Sequence, residues 1–312
     1  MNWQIPNFSQ LEILQKSAFN NKFFANNYSA VNSILYQKKF NSKIALQDGW
    51  IFERYEHDGK FCFSFPHNIE GHTEKIDTAL ELLFEESKAA GSSLLFHNIT
   101  ITEKVILEKH FPEAKITQTP EYSDYIYLTE NLAKLAGKKF SKKRNHIHQF
   151  ENKYPAFEFE PLSDKNYAEV LKIEEKWLTE NSEFALETGT MQDLLAEKEI
   201  IHTAIQNFAD FSKICGLTGG ILYVFSADRT GREGIAFCLA SVLSDKITDI
   251  HFEKCIAPFA HDGGYAVINQ EFAKTVKTCY INREEDLGIE GLKKAKLSYY
   301  PEQILEKFFA EI

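Results

Sequence analysis

The chain has 312 residues, a formal net charge of −10, and 44% hydrophobic and 13% aromatic content. It is too long for one ordinary compact domain and suits two domains of about 150 residues each. The negative net charge argues against a protein that coats nucleic acid without sequence preference. Because no stretch approaches the roughly 18 apolar residues of a membrane helix, and the first residues do not resemble a signal peptide, we expect a cytoplasmic protein without stable membrane insertion.

The five cysteines are far apart in the sequence and include no CxxC pair (Cys62, Cys215, Cys238, Cys255 and Cys279). An odd number of cysteines in a chain that is not secreted favours reduced thiols. We therefore expect neither a disulfide framework nor a cysteine-based zinc site.

The first half of the chain alternates between helix and strand patterns. Apolar residues recur three and four apart within residues 8–40, which predicts helices. Strands are predicted at 50–55 and 60–65, joined by a hairpin turn that closes with Asp58-Gly59. The later elements of this half are an amphipathic helix (73–90), a strand (93–97), a helix (102–110) and two strands (115–118 and 125–128).

The second half begins with one predicted helix over 131–152, which bridges the two halves. Its later elements are a strand (156–161), two helices (up to 178 and 191–211), three strands (220–226, 234–243 and 246–255), a helix (265–275), a strand (276–281), a helix (287–296) and an apolar run (304–309). The first strand turn is predicted at 228–231. Asp286 is predicted to cap the 287–296 helix, with Ile289, Leu292 and Ala295 facing inward.

Each half contains leading helices, a hairpin, a helix, a strand, a helix and closing strands, which is the order of a GNAT-type acyltransferase unit. One such unit is too short to account for all 312 residues. We therefore predict a mixed α/β fold of two tandem GNAT-like domains, each a mostly antiparallel sheet flanked by helices. Residues 1–135 are predicted to form a scaffolding domain, and residues 136–312 to carry the site.

Alternation along the strand at 246–255 places Asp249, His251 and Glu253 on one face. Three ionisable groups are costly to bury without partners, so this face is either solvated or lines a cleft. In a cleft, His251 and Glu253 are candidate catalytic acid–base residues. A metal site is not expected, because no third ligand of fixed spacing is visible.

The strand at 276–281 runs into a charged turn and then a helix, an arrangement that places ligands in open α/β sheets. We predict that this turn and helix bind substrate through Asn282, Arg283, Glu284, Asp286, Lys293, Lys296, Ser298 and Tyr299. Lys293 and Lys296, three apart, are expected to share one flank that holds an anionic group. The alternative is an ion-pair network within the protein.

A local basic segment contrasts with the acidic chain and is predicted to bind a polyanion (Lys138, Lys139, Lys142, Lys143, Arg144 and Asn145). By contrast, the loop at 260–264 follows a strand and precedes a helix, where acetyltransferases hold the pyrophosphate of coenzyme A. It contains no arginine, and Asp262 would repel phosphate. We therefore expect no cofactor, with acyl-CoA as the alternative.

Three sequence blocks resemble the phosphatidylglycerol lysyltransferase C-terminal domain family: NREEDLGIEGLKKAKLSYYP at 282–301, KKFSKKRNHIHQF at 138–150, and DIHFEKC at 249–255 followed by GYAVINQEF. The resemblance implies a tandem GNAT-like fold and transfer of an aminoacyl group from charged tRNA without coenzyme A. Lipid-modifying members carry a membrane-spanning half that this sequence lacks. The expectation therefore concerns the reaction class rather than a lipid acceptor.

These observations predict a bacterial aminoacyl or acyl transferase, with aminoacyl-tRNA as partner and a small-molecule acceptor. Glu253 or His251 is the expected base. The alternatives are a coenzyme A-dependent N-acyltransferase and a non-catalytic module that binds a small ligand or a protein. Binding of acetyl-CoA separates the first alternative from the main prediction, and the absence of turnover identifies the second.

Overall fold

The computed structural model describes residues 1–226 and 230–312, so Asp228 and Arg229 of the predicted first turn lie outside the described residues. Its strands, in chain order, are β1 (Lys43–Gln47), β2 (Trp50–His57), β3 (Lys60–Phe63), β4 (His67–Asn68), β5 (Leu95–Thr100), β6 (Lys115–Gln118), β7 (Asp124–Leu128), β8 (Phe157–Pro161), β9 (Thr218–Phe225), β10 (Arg232–Ser244), β11 (Ile247–Cys255), β12 (Tyr280–Asn282), β13 (Gln303–Leu305) and β14 (Lys307–Glu311).

The α-helices, in chain order, are α1 (Leu11–Asn21), α2 (Ala30–Leu35), α3 (Ile76–Ala89), α4 (Ile101–His110), α5 (Thr129–Lys134), α6 (Ser141–Lys153), α7 (Tyr167–Thr188), α8 (Met191–Gln206), α9 (Phe208–Cys215), α10 (Gly264–Ala273) and α11 (Glu290–Leu297). Four single turns of 3-10 helix lie at Phe8–Gln10, Asn26–Tyr28, Pro120–Tyr122 and Lys138–Phe140. Within the described ranges, no helix is long and apolar enough to cross a bilayer.

The strands form two mixed sheets. The first sheet has the order β1-β2-β3-β5-β14-β6, with β4 paired to β2, and the second has the order β13-β7-β12-β11-β10-β9-β8. Neighbours within each sheet are antiparallel except for β3 with β5 and β11 with β12. Each half of the chain therefore contributes one parallel pair to a mostly antiparallel sheet, as expected for two GNAT-like units.

The two sheets exchange strands across the middle of the chain. The strand β7 precedes residue 135 but pairs with β12 and β13 of the second sheet. The last strand, β14, lies between β5 and β6 of the first sheet. The helix α1 also reaches the second sheet, where the Gln15 side chain donates to the carbonyl of Val242 at 2.7 Å. The division at residue 135 stays a prediction, because strands cross it in both directions.

The bridging segment is not one helix, as the sequence predicts, but two. The helix α5 ends at Lys134 because Leu135 and Gly137 adopt positive φ values of 46° and 86°, in the left-handed region that ends a helix. Arg144 then donates from Nη1 to the carbonyls of Leu135 and Gly137. The basic helix α6 starts after this break and, like α5, packs against α10.

The helix after β12 begins later than predicted. Leu287 and Gly288 have φ values of 52° and 72°, so the chain cannot be helical there, and α11 starts at Glu290 with Ile289 as its N-cap. The prediction that Asp286 caps this helix is therefore wrong. Ile289, Leu292 and Ala295 are exposed rather than inward-facing.

Candidate active site

The candidate site lies where the two parallel strands of the second sheet part. The strands β11 and β12 pair over three residues, ending with Asp249 opposite Asn282. Beyond this point β11 continues to Cys255, whereas the chain after Asn282 turns away as a loop. The side chains that β11 carries past Asp249 therefore face residues of that loop across the opening.

An ion pair spans this opening. Arg283 Nη2 lies 3.1 and 3.2 Å from the two carboxylate oxygens of Glu253, and the Arg283 and Glu253 side chains are only 13% and 10% exposed. Asn269 of α10 donates to Glu253 Oε2 at 3.3 Å. The buried Arg283 Nη1 has no hydrogen-bond partner in the described parts of the chain. A donor that is buried and unsatisfied in this way is available to a substrate oxygen.

Two tyrosine rings and a lysine surround the guanidinium group. The Tyr299 and Tyr127 ring centroids lie 4.8 and 5.9 Å from Arg283 Cζ, and Lys143 Nζ lies 3.8 Å from the Tyr299 centroid. Burial, together with the positive charge of Arg283 and despite Glu253, lowers the pKa of Lys143 to about 8. The Arg283 guanidinium and the Lys143 ammonium therefore both contact the same aromatic, poorly solvated site.

The loop after β12 is stabilised by residues that were predicted from the sequence to bind substrate. The buried Lys296 ammonium donates to the carbonyls of residues 283–285. Asn282 donates to the carbonyl of Phe24 at 2.9 Å and to Asp124 at 3.0 Å, and accepts from the Glu284 amide at 2.7 Å. Asp286 accepts from Tyr125 at 2.5 Å and from the Gly288 amide at 2.8 Å.

These contacts fix the loop that carries Arg283, with Glu284 strained at a φ of 56°. Asn282, Asp286 and Lys296 therefore position the loop through contacts within the protein.

The structure does not bring together two other predicted substrate residues. Lys293 is exposed on α11 whereas Lys296 is buried, so the two lysines do not form one binding flank. The prediction of a shared lysine flank did not anticipate the backbone carbonyls of residues 283–285, which accept hydrogen bonds from the buried Lys296. Ser298 donates to the carbonyl of Ala295 at 2.5 Å, as a local helix-end contact.

His251 lies deeper than Glu253 and is nearly inaccessible. Its Nε2 is 2.8 Å from Ser241 Oγ, and its Nδ1 is 3.3 Å from Glu284 Oε1 and 3.6 Å from Asp249 Oδ2. Asp249, His251 and Glu284 each place one ligand-type atom within 4.8 Å of the others. Burial, and then the neighbouring charge of Glu284, raises the pKa of Asp249.

The basic segment borders this site. Lys138, Lys139 and Lys142 are exposed, and Lys139 Nζ lies 5.7 Å from the ring of Tyr300, next to Tyr299 in the chain. Lys143 points into the site. The polyanion-binding prediction also included Arg144 and Asn145; Asn145 is exposed, and Arg144 caps α5.

The loop at 260–264 is closed by contacts with α6 and the residue that follows it. Asp262 Oδ2 accepts from Lys153 at 2.7 Å and from Tyr154 at 2.6 Å. Gly263 has a φ of 109°, and a Cβ there would lie 2.5 Å from the carbonyl oxygen of His146. The start of α10 therefore presents a carboxylate where a pyrophosphate would need backbone N–H groups and positive charge.

Sequence reasoning missed several residues around the site. Tyr127 donates to the carbonyl of Lys296 at 2.8 Å, and Asn269 contacts Glu253. The buried Lys307 of β14 lies 2.8 Å from Asp124. The alternation of Tyr125 and Tyr127 in a predicted strand was the one available sign that these rings share a face. No local pattern indicated that this strand belongs to the second sheet.

The first sheet has a similar opening. Its parallel strands β3 and β5 pair only at Phe63 and Phe96. Nearby lies a cavity of about 380 Å³ lined in part by His57, His97 and Tyr122. The scaffolding role of this half stays a prediction.

Comparison with known proteins gives the family. Residues 24–311 match the family described as phosphatidylglycerol lysyltransferase, C-terminal. A conserved protein of unknown function from Bacteroides thetaiotaomicron is 30% identical, with 100% of this chain and 99% of that chain covered and a TM-score of 0.88. The structure of L-PGS from Bacillus licheniformis has a TM-score of 0.65 at 12% identity, with 99% of this chain and 92% of that chain covered.

An uncharacterised protein of Mycoplasmoides gallisepticum is 23% identical over 190 residues, which are 61% of this chain and 56% of that protein. The chain thus spans little more than half the length of this relative. The predicted fold class, a mixed α/β fold of two mostly antiparallel sheets flanked by helices, is confirmed by the two mixed sheets and by these structural neighbours. The family match covers nearly the whole chain, and this protein belongs to the phosphatidylglycerol lysyltransferase C-terminal family.

Proposed function

We propose that this protein transfers an aminoacyl group from a charged tRNA to an amine or hydroxyl acceptor. Membership of a lysyltransferase family supports the reaction class. The observation that carries the proposal is the unsatisfied Nη1 of Arg283, buried beside Glu253 and Lys143 where β11 and β12 part. A donor pre-positioned in a place with little water suits an oxygen that gains charge during acyl transfer.

The geometry suggests a role for each group. The acceptor nitrogen or oxygen attacks the carbonyl carbon of the aminoacyl ester, and the bond from that carbon to the ribose oxygen breaks. Glu253 takes the proton that the acceptor loses, and the departing ribose oxygen receives it. Arg283 and Lys143 stabilise the negative charge on the carbonyl oxygen.

Glu253 suits the role of base better than His251. Both ring nitrogens of His251 have polar neighbours, Ser241 and Glu284, and its side chain is 1% exposed. Glu253 lies nearer the opening, next to the unsatisfied donor. Of the two bases predicted from sequence, we therefore propose Glu253.

The exposed lysines beside Tyr300 provide a route for a tRNA. Lys138, Lys139 and Lys142 form what we call the basic face, and Lys143 follows it into the site. Phosphate contacts from such lysines orient a nucleic acid without reading its sequence. We propose that the basic face binds the acceptor arm, which brings the esterified end to Arg283.

Two donors distinguish this function from acyl-CoA chemistry. The protein is incubated with a mixed pool of charged tRNA, or with acetyl-CoA and longer acyl-CoAs, plus a mixture of amines. Loss of aminoacyl ester and release of free coenzyme A are measured. We expect ester loss that depends on amine and on Glu253, and no release of coenzyme A. Release of coenzyme A alone would contradict the proposal, and so would binding of either donor without turnover with any of the amines or with an added mixture of alcohols.

A further inference from the structure

We propose that Asp249, His251 and Glu284 bind a divalent transition metal ion, with zinc as the best fit. Asp249 and His251 come from β11, and Glu284 comes from the loop that carries Arg283. His251 Nδ1 lies 3.3 Å from Glu284 Oε1 and 3.6 Å from Asp249 Oδ2. Tetrahedral zinc with bonds of about 2.0–2.2 Å requires ligand atoms about 3.3–3.6 Å apart. The two spacings to the histidine agree with that requirement.

Asp249 provides independent support. Its side chain is fully buried, and neither carboxylate oxygen has a hydrogen-bond partner within residues 1–226 and 230–312. One of these oxygens faces His251 Nδ1. A buried carboxylate without hydrogen bonds is costly, and coordination of a cation removes that cost.

The neighbouring residues suit metal ligands. Ser241 Oγ lies 2.8 Å from His251 Nε2, so the Nε2–H donates to Ser241 when Nδ1 holds a metal. Asn32 donates to Glu284 Oε1 at 2.9 Å. Metal-bound histidine and carboxylate groups generally have such outer partners, which orient the ligands.

The two spacings to His251 distinguish a metal ion from an ammonium group, whereas the Asp249–Glu284 spacing, which is at most 4.8 Å, fits either. An ammonium nitrogen about 2.9 Å from each acceptor would hold the acceptors about 4.7 Å apart, well beyond the spacings to His251. The nearby lysines are already paired. Lys307 contacts Asp124 at 2.8 Å, and Lys296 donates to backbone carbonyls.

The proposed ion would join β11 to the loop beyond β12. These are the two segments that Glu253 and Arg283 occupy, one on each side of the opening. Zinc binding should therefore stabilise the fold whether or not the protein is an aminoacyl transferase. The inference is independent of the proposed function.

Zinc binding is measured by isothermal titration calorimetry and thermal unfolding of the full chain after treatment with a chelator. We expect stoichiometric zinc binding, a melting temperature that rises with zinc concentration, and no response to magnesium at equal concentration. Asp249→Asn and His251→Gln should each weaken zinc binding by at least about 100-fold, and Asn32→Ala by about 10–100-fold. Glu253→Gln, a matched variant on the same strand outside the cluster, should bind zinc normally.

Cobalt supplies a readout that does not depend on stability. Co²⁺ bound in a tetrahedral site should give visible absorption bands, which Asp249→Asn should remove or shift. The proposal is overturned if the wild-type protein binds neither ion, or if Asp249→Asn and His251→Gln leave zinc affinity unchanged. A cluster that holds only a shared proton would give the first of these results.

Discussion

Glu253 and Arg283 meet across the gap between β11 and the loop that follows β12, with Arg283 Nη2 3.1 Å from Glu253 Oε1. The strands β11 and β12 are neighbours only as far as Asp249 and Asn282. Both side chains are largely buried, and burying two charges has a desolvation cost that the pair barely offsets. An arrangement of this kind is expected where charge is needed for binding or catalysis.

Removing one member of this pair should destabilise the protein. Arg283→Met leaves the Glu253 carboxylate buried without the guanidinium that pairs with it, and we expect the free energy of unfolding to fall by about 3 kcal/mol. The double variant Arg283→Met/Glu253→Leu should recover most of that loss while remaining inactive. Urea denaturation of the single and double variants measures the coupling.

The exposed pair Lys176–Glu233 is the control, because both of its side chains are about half exposed. Lys176→Met should change the unfolding free energy by less than about 1 kcal/mol. Equal effects of Lys176→Met and Arg283→Met would show that the Glu253–Arg283 pair is not the buried, coupled pair described here.

Lys143 should make stability depend on pH. Its pKa falls from the ordinary value of 10.5 to about 8 in the folded protein. Between these values the unfolded chain binds more protons, so the free energy of unfolding rises with pH. The loss of folding stability that Lys143 causes is complete below about pH 8 and disappears above about pH 10.5. We expect the wild-type protein to gain stability relative to Lys143→Met over this range.

Denaturation curves collected from pH 7 to pH 10.5 test this prediction. Lys142→Met is the matched control, since Lys142 neighbours Lys143 in the chain but is exposed. Its stability difference from wild type should stay constant with pH. A constant difference for Lys143→Met as well would place Lys143 in water rather than against Tyr299.

The basic face should control affinity for nucleic acid. Replacing Lys138, Lys139 and Lys142 with glutamine is expected to weaken tRNA binding. It should also reduce the slope of log affinity against log salt by about 0.7–0.9 for each phosphate that the protein no longer neutralises. Fluorescence anisotropy with labelled tRNA at several salt concentrations measures both quantities.

A charge-matched control separates this local effect from net charge. The triple variant of Lys75, Lys88 and Lys109 removes three exposed lysines from the first half of the chain. It should leave the salt slope close to that of the wild type. If both triple variants lower the slope equally, tRNA binds without using the basic face.

Lys307 should be essential for docking the last strand. Its ammonium lies 2.8 Å from Asp124 Oδ1 and 2.5 Å from Asn26 Oδ1, fully buried. Lys307→Met leaves Asp124 as an unpaired buried charge, so we expect a loss of about 3–5 kcal/mol in unfolding free energy. Lys115→Met on neighbouring β6, at an exposed position, should have little effect. Similar urea midpoints for the two variants would contradict this.

Much of the second sheet was predictable because its strands are long and apolar. The three predicted strands at 220–226, 234–243 and 246–255 correspond to β9, β10 and β11. The prediction that alternation places Asp249, His251 and Glu253 on one face holds for Asp249 and His251, which lie 3.6 Å apart. A register shift against β10 leaves His251 unpaired and interrupts the alternation before Glu253, which contacts Asn269 of α10. The charged turn after β12 was also recognised as a partner of β11.

The remaining features depend on contacts between distant parts of the chain. No local pattern indicates that β14 joins the first sheet or that β7 joins the second. The late start of α11 follows from the left-handed backbone of Leu287, a residue that rarely adopts it. Lys296 resembles a surface lysine in the sequence, and only the folded loop offers the carbonyls that bury it.

Transfer of a radiolabelled aminoacyl group tests the central claim most directly. Label from charged tRNA is followed into an amine or hydroxyl acceptor with the wild-type protein, Glu253→Gln, Arg283→Lys and the control Lys176→Met. We predict transfer by the wild type and by Lys176→Met, with a loss of at least about 100-fold in kcat/KM for the two site variants. Equal transfer rates for all four proteins would contradict the assignment of the Glu253–Arg283 opening as the active site.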